Sequence, residues 1–216
     1  MSLTQEKFNQ GMSPQEYLSQ VKVNKQAIEQ IYSSVETPAE ATAFFDGLDE
    51  PLQLAIFTAA WCGDAISTSP TIMRLAESTD NLKMSIFDRD VELDLTNSFL
   101  PEHRAGTVPV FVVFDSQMRE VGRFIETAKE LVPTLDTMED EVKRETLQAA
   151  EMDKPMNEIS ETSRNAFRGR RTAYRVDHAR EWGNVIANAF TSVVRDGLSL
   201  PADQRPAEGG TEWPPQ

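Results

Sequence analysis

The sequence predicts an α/β fold, a mixed central sheet flanked by helices, with helical extensions at both ends. Between about residues 51 and 150, short apolar runs alternate with amphipathic segments in the order β-α-β-α-β-β-α. Ahead of that block, two Ser/Thr-Pro steps and apolar residues at helical spacing mark several short helices. Behind it, from Met152, a second apolar stripe recurs at helical spacing. This gives a helical extension over 1–50, an α/β domain over 51–150, a helical extension over 151–199 and a disordered tail over 200–216.

Ser13-Pro14 starts a helix with Ser as cap and Pro at the first helical position, and Thr37-Pro38 repeats the signature ahead of Phe44 and Phe45. Between them Val23, Ala27, Ile28, Ile31 and Tyr32 share one helical face; Tyr17, Phe44 and Phe45 read as packing residues. Residues 52–57 (LQLAIF) form a buried strand, followed by a loop and a helix over about 64–78. Residues 82–87 (LKMSIF) form a second strand running into Asp88-Arg89-Asp90, and 91–100 a short helix stopped near Pro101. Residues 110–114 (VFVVF) are a third strand, turning at Asp115-Ser116-Gln117 into a hairpin partner over 120–125. A helix over about 127–150 buries Leu131, Leu135, Met138 and Val142. Beyond it, Phe167, Tyr174, Trp182, Ile186, Phe190 and Val194 lie on one or two long helices, with Gly169 and Gly183 as candidate breaks. Residues 200–216, rich in Pro and Gly, have little to bury.

The chain has 216 residues, 39% of them hydrophobic, and a formal net charge of -14. So acidic a surface repels phosphate backbones and anionic lipid, which argues against nucleic acid and membrane partners. No signal pattern opens the chain and no apolar run approaches bilayer length, so a cytoplasmic protein is expected. The single cysteine rules out an internal disulfide and fits a reducing compartment. No metal or cofactor site is expected.

Candidate chemistry sits in residues 58–70, TAAWCGDAISTSP, where Cys62 lies between a strand and a helix. Backbone N–H groups and the helix dipole favour a thiolate there. Trp61-Cys62-Gly63 in that setting resembles a thioredoxin active site. Pro70, eight residues after Cys62, resembles the family's helix-kinking proline, and Thr107-Val108-Pro109 its cis-proline loop. More narrowly, GMSPQEYL, VNKQAI, WCGDA and FDRD resemble a single-cysteine subgroup with helical additions. The resemblance implies a thioredoxin-like fold over roughly 51–150. It implies Cys62 as the nucleophile, Gly63 and Asp64 as the helix start, Trp61 as an apolar wall, and Val108 and Pro109 as the thiol-ligand groove.

The sequence departs from that family at three positions. Ala65 stands where the resolving cysteine belongs, so no intramolecular dithiol cycle is available. Ile56 stands where the family carries a buried carboxylate. Asp64 replaces a proline and opposes thiolate formation beside Cys62, although it is also suited to capping the helix; the residues leave the net effect open. Two functions follow as expectations. One is a monothiol thiol–disulfide exchanger whose partners are a low-molecular-weight thiol or a protein thiol or disulfide. The other is a non-enzymatic module that binds a protein partner on the same scaffold.

The remaining polar features read as structural. Asp88-Arg89-Asp90 is a turn or ion pair, His103 and Arg104 are surface loop residues, and His178 lacks zinc-ligand spacing. Arg164, Arg168, Arg171 and Arg175 form a basic stripe at helical spacing, with Arg170 and Arg180 nearby. It is read as pairing with the acidic domain or as a solvated face, docking of an acidic segment being the sharper alternative.

Overall fold

The computed structural model describes residues 3–211. Its sheet contains β1 (Leu52–Thr58), β2 (Leu82–Asp88), β3 (Val110–Phe114), β4 (Glu120–Ile125) and β5 (Ala207–Gly210), in the order β2-β1-β3-β4-β5. β1 and β2 run parallel, β3 is antiparallel to both β1 and β4, and β5 returns parallel to β4. The parallel pair is joined through α5 (Gly63–Glu77), the crossover helix that the apolar spacing predicts. The expected mixed sheet is therefore present.

Helices cover both faces, which is why β3 reads as an unbroken apolar run and β1 as a nearly continuous one, broken by Gln53, rather than as alternating patterns. Leu54, Ile56, Phe111, Val113 and Phe124 face a core built with α3 (Lys25–Ser34), α4 (Ala39–Asp46), α5, α7 (Val132–Thr146), α8 (Glu161–Asp177) and α9 (Ala179–Ser199). Ala55, Phe57, Val110, Val112 and Phe114 face a smaller core closed by α1 (Gln5–Phe8) and α6 (Leu93–Asn97). In that smaller core the Phe57 ring lies 5.2 Å from Phe87 and 5.5 Å from Phe99. α2 (Pro14–Gln20) starts as expected, with Ser13 and Glu16 in a reciprocal capping box and Pro14 in the first turn.

Several expectations are corrected. α4 begins at Ala39, so Pro38 is the capping residue itself and Thr37 makes no cap bond. Val23 lies before α3 and is 55% exposed. A short 3-10 turn precedes α7, which spans only 132–146 because Pro133 fits its first turn. The last two helices break at His178, not at a glycine. Gly183 lies inside α9, where a Cβ would come 3.1 Å from Val35, so its smallness permits close packing.

The C-terminal region is not an appendage. α9 packs on α5, β4 and β5, burying Trp182, Ile186, Phe190 and Val194 in the main core. Nor is the stretch 200–211 a disordered tail, since β5 pairs with β4 from Gly122 to Ile125. Its glycines make this possible. A Cβ on Gly209 would meet Val193 at 2.2 Å, and Gly210 adopts φ +99 against the Ile125 carbonyl. Residues 212–216 of that expectation lie outside the described residues.

Candidate functional site

Five strand ends converge where β1 and β2 finish and β3 begins, and the thiol loop lies at this end. Hydroxyls of Thr58 and Ser69, 2.7 Å apart and buried, tie the end of β1 to α5. Cys62 is the N-cap of α5, in extended conformation at φ -80 and ψ 131, and its carbonyl accepts from Ile66 N–H at 3.2 Å. Pro70 sits within α5, as the resemblance implies. The Val108–Pro109 peptide bond is cis.

The Cys62 thiol is half-buried and donates to the Val108 carbonyl at 3.2 Å. Cys62, Val108 and Pro109 are thus brought together. Trp61 is 53% exposed and its indole N–H donates to Asp90 at 2.7 Å, with Arg89 over the ring at 5.6 Å. That places Asp88-Arg89-Asp90 as an ion-paired turn at the loop's edge, Arg89 and Asp90 being 2.9 Å apart.

Burial pushes the Cys62 thiol above its ordinary range, and the charge of Asp64 pushes the same way. N–H groups of Ala65 and Asp64 and the charge of Arg175 pull against them. The helix start therefore loses to desolvation and a neighbouring carboxylate, which resolves what the residues alone leave open. Asp64 is not a cap: α5 has no side-chain cap bond, and Asp64 instead accepts from Arg175 at 3.1 Å.

Arg175 is the neighbour of the thiol loop that the sequence does not single out. It reaches the loop from α8, is 3% exposed, and donates to Ser67 at 3.4 Å as well as to Asp64. Its guanidinium lies over the Trp182 ring at 5.8 Å. A Cβ on Gly63 would stand 3.1 Å from Arg175 Nη2 and 3.6 Å from Arg171 Nη2, so the glycine leaves room for the cations. The basic stripe was the available signal. Part of it resolves as intramolecular pairing, Arg171 with Glu139 and Arg175 with Asp64, beside the neighbouring pair of Arg170 with Glu145, while Arg164 donates to the Ile159 carbonyl.

Two further groups border the site. Glu126, at φ +64, donates its N–H to the Pro109 carbonyl at 2.8 Å and accepts from Arg104 at 3.1 Å and from Thr211. Burial pushes its carboxyl above the usual range. Arg104 is thus buried, not the surface residue expected. On the other flank a niche of about 190 Å³ lies between Tyr17, Val21, Val23 and Trp61, edged by Asp88 and Asp90. Asn24 fixes this flank by donating to the Ala60 carbonyl at 2.9 Å. Ile56 is fully buried in the main core, so no carboxylate lies beneath the thiol at that position.

A single cysteine at a strand-to-helix turn, facing a cis-proline loop on a mixed sheet, defines a thioredoxin-fold protein. A family model described as thioredoxin matches residues 11–143, and the chain belongs to that family. Among solved structures, a protein of unknown function from Pseudomonas aeruginosa aligns at a TM-score of 0.61 and 14% identity, over 92% of this chain and 99% of its own. An HIV epitope-scaffold aligns at a TM-score of 0.50 and 13% identity, over 80% and 92%. At these identities the likeness concerns the fold alone. No curated protein matches the chain. Among the described residues, no helix is long and apolar enough to cross a membrane.

Proposed function

We propose that this protein is a monothiol member of the thioredoxin-like group, of the single-cysteine WCGDA kind, that exchanges disulfides through Cys62. The observation carrying the reading is the thiol at the α5 N-terminus, 3.2 Å from the Val108 carbonyl beside Pro109. In the first step the Cys62 thiolate attacks a substrate disulfide, forming a Cys62–substrate mixed disulfide and releasing one substrate thiolate. With Ala65 in place of a second cysteine, an external thiolate then attacks the substrate sulfur, forming a new disulfide and returning the Cys62 thiolate. Val108, through its backbone, and Pro109 line the groove for the extended thiol ligand, and Trp61 walls it. A thiol held above its ordinary pKa is a poor leaving group, so the mixed disulfide is long-lived and turnover slow.

Turnover of a glutathione mixed disulfide, followed with mass spectrometry of the protein purified without reductant, tests the reading. A Cys62-linked adduct, removed by reduction and absent from Cys62→Ala, is expected. Turnover no faster than the Cys62→Ala control, with no adduct, overturns it. The raised thiol favours a second reading, a binding module that uses the same groove without chemistry. Recovery of the same partners by wild type and Cys62→Ala supports that alternative.

A further inference from the structure

We propose that Arg175 is a positioning residue for Cys62: from a helix beyond the family-matched segment, its buried guanidinium pairs the Asp64 carboxylate and keeps a positive charge beside the thiol. The family match ends at residue 143, whereas α8 spans Glu161–Asp177. The cation is therefore supplied by the C-terminal region and not by the matched part of the fold.

The geometry ties three residues at the start of α5 to this one side chain. Asp64 accepts from Arg175 at 3.1 Å, and Ser67, one turn along α5, accepts at 3.4 Å. Gly63 contributes by having no side chain, since a Cβ there would press on Nη2 at 3.1 Å. A guanidinium this buried needs a charged partner, and Asp64 is the one it has among the described residues. The converse also holds. Without Arg175, Asp64 would present an unpaired negative charge on the first turn of the helix that is to stabilise the thiolate.

The charged surroundings are otherwise balanced. Arg171, on the same helix as Arg175, is paired with Glu139 of α7, and Arg170 with Glu145. Glu126, beside Pro109, is held by Arg104 and feels the charge of Asp64. Arg89 and Asp90, at the Trp61 edge, pair with each other. Asp64 and Arg175 both act on the Cys62 thiol through their charge, with opposite sign.

The proposal deepens the reading of Cys62 as the working thiol and rests on it for biological meaning, but its test does not. The pH dependence of iodoacetamide alkylation reports how readily Cys62 loses its proton, whether or not the protein exchanges disulfides. Arg175→Met should move the profile to higher pH, slowing alkylation about three- to tenfold on its rising limb. Asp64→Asn should move it to lower pH by a similar factor, and Arg175→Lys should stay near wild type. The double variant Asp64→Asn/Arg175→Met should lie between the two singles and close to wild type, because the two shifts have opposite sign. Thermal melts establish that each variant is folded. A folded Arg175→Met whose profile superimposes on wild type overturns the proposal. Should Arg175→Met not fold, an unmoved profile in Asp64→Asn overturns it instead. Shifted profiles without any disulfide exchange would sink only the monothiol reading.

Discussion

The N-terminal and C-terminal helices both reach the thiol loop, and they bring different chemistry to it. The N-terminal helices arrive at Ala60 and Trp61 through Asn24, Tyr17, Val21 and Val23, and leave an open niche with apolar walls. The C-terminal helices arrive at Gly63 and Asp64 through Arg175, and leave no space, only a buried charged pair. One end shapes what can approach Trp61, while the other sets the charge around Cys62. The thiol is thus governed from parts of the chain that lie far from it in sequence.

The largest expected effect breaks the C-terminal side. Trp182 is 1% exposed, stacks with His178 at 5.7 Å, and supports the Arg175 guanidinium. Trp182→Ala removes that support and opens a cavity in the main core, and should cost about 3–5 kcal/mol in urea denaturation. It should also slow Cys62 alkylation at fixed pH, since the cation loses its platform. A large stability loss with an unchanged alkylation rate would separate the core from the site and break the link between Trp182 and Cys62.

A second prediction concerns how α8 is held in place. Glu151 accepts from Ser163 Oγ at 2.5 Å and from Ser160 N–H at 2.8 Å, closing the start of α8. These bonds hold its carboxyl down to about 2, against an ordinary value of 4.5. Because the folded value lies below the unfolded one, this stabilisation is present above about 4.5 and is lost as pH falls toward 2. Glu151→Gln should therefore lower stability at neutral pH and flatten the decline over that acid window, as read from melting temperature against pH. A decline as steep as wild type would place the acid sensitivity elsewhere.

How much of this was legible follows from the range of the interactions. Residues 52–57 and 110–114 declare strands because both faces of the sheet are covered there, so nearly every side chain is apolar, and 120–125 declares itself as the partner across the turn at Asp115-Ser116-Gln117. Cys62, Pro70 and Val108-Pro109 declare the site because local backbone chemistry fixes them. Arg175 was visible only as one of a stripe. Nothing in residues 164–175 says which arginine turns inward, because that is decided by α9 packing on α5 and by the absent side chain at Gly63. β5 was illegible for a related reason. Its AEGG sequence has no strand pattern, and it pairs because its glycines fit against Val193 and Ile125. The capping role to which Asp64 is suited is not the one it takes, because its partner, Arg175, lies 111 residues away.

The smallest expected effect sharpens the N-terminal side. Ser13 caps α2, its hydroxyl accepting from Glu16 N–H at 3.3 Å while Glu16 accepts from Ser13 N–H at 2.8 Å. Ser13→Ala removes one half of this box and should cost about 1 kcal/mol. α2 carries Tyr17, a buried wall of the niche whose phenol is pushed up to about 12, chiefly by burial. Loosening α2 therefore loosens the niche, whereas Asp64 and Arg175, whose charges act on Cys62, lie on α5 and α8. Denaturation should show the loss while the pH profile of Cys62 alkylation stays that of wild type. A displaced profile in Ser13→Ala would mean that the N-terminal helices also set the charge at the thiol, and the division between the two ends would fail.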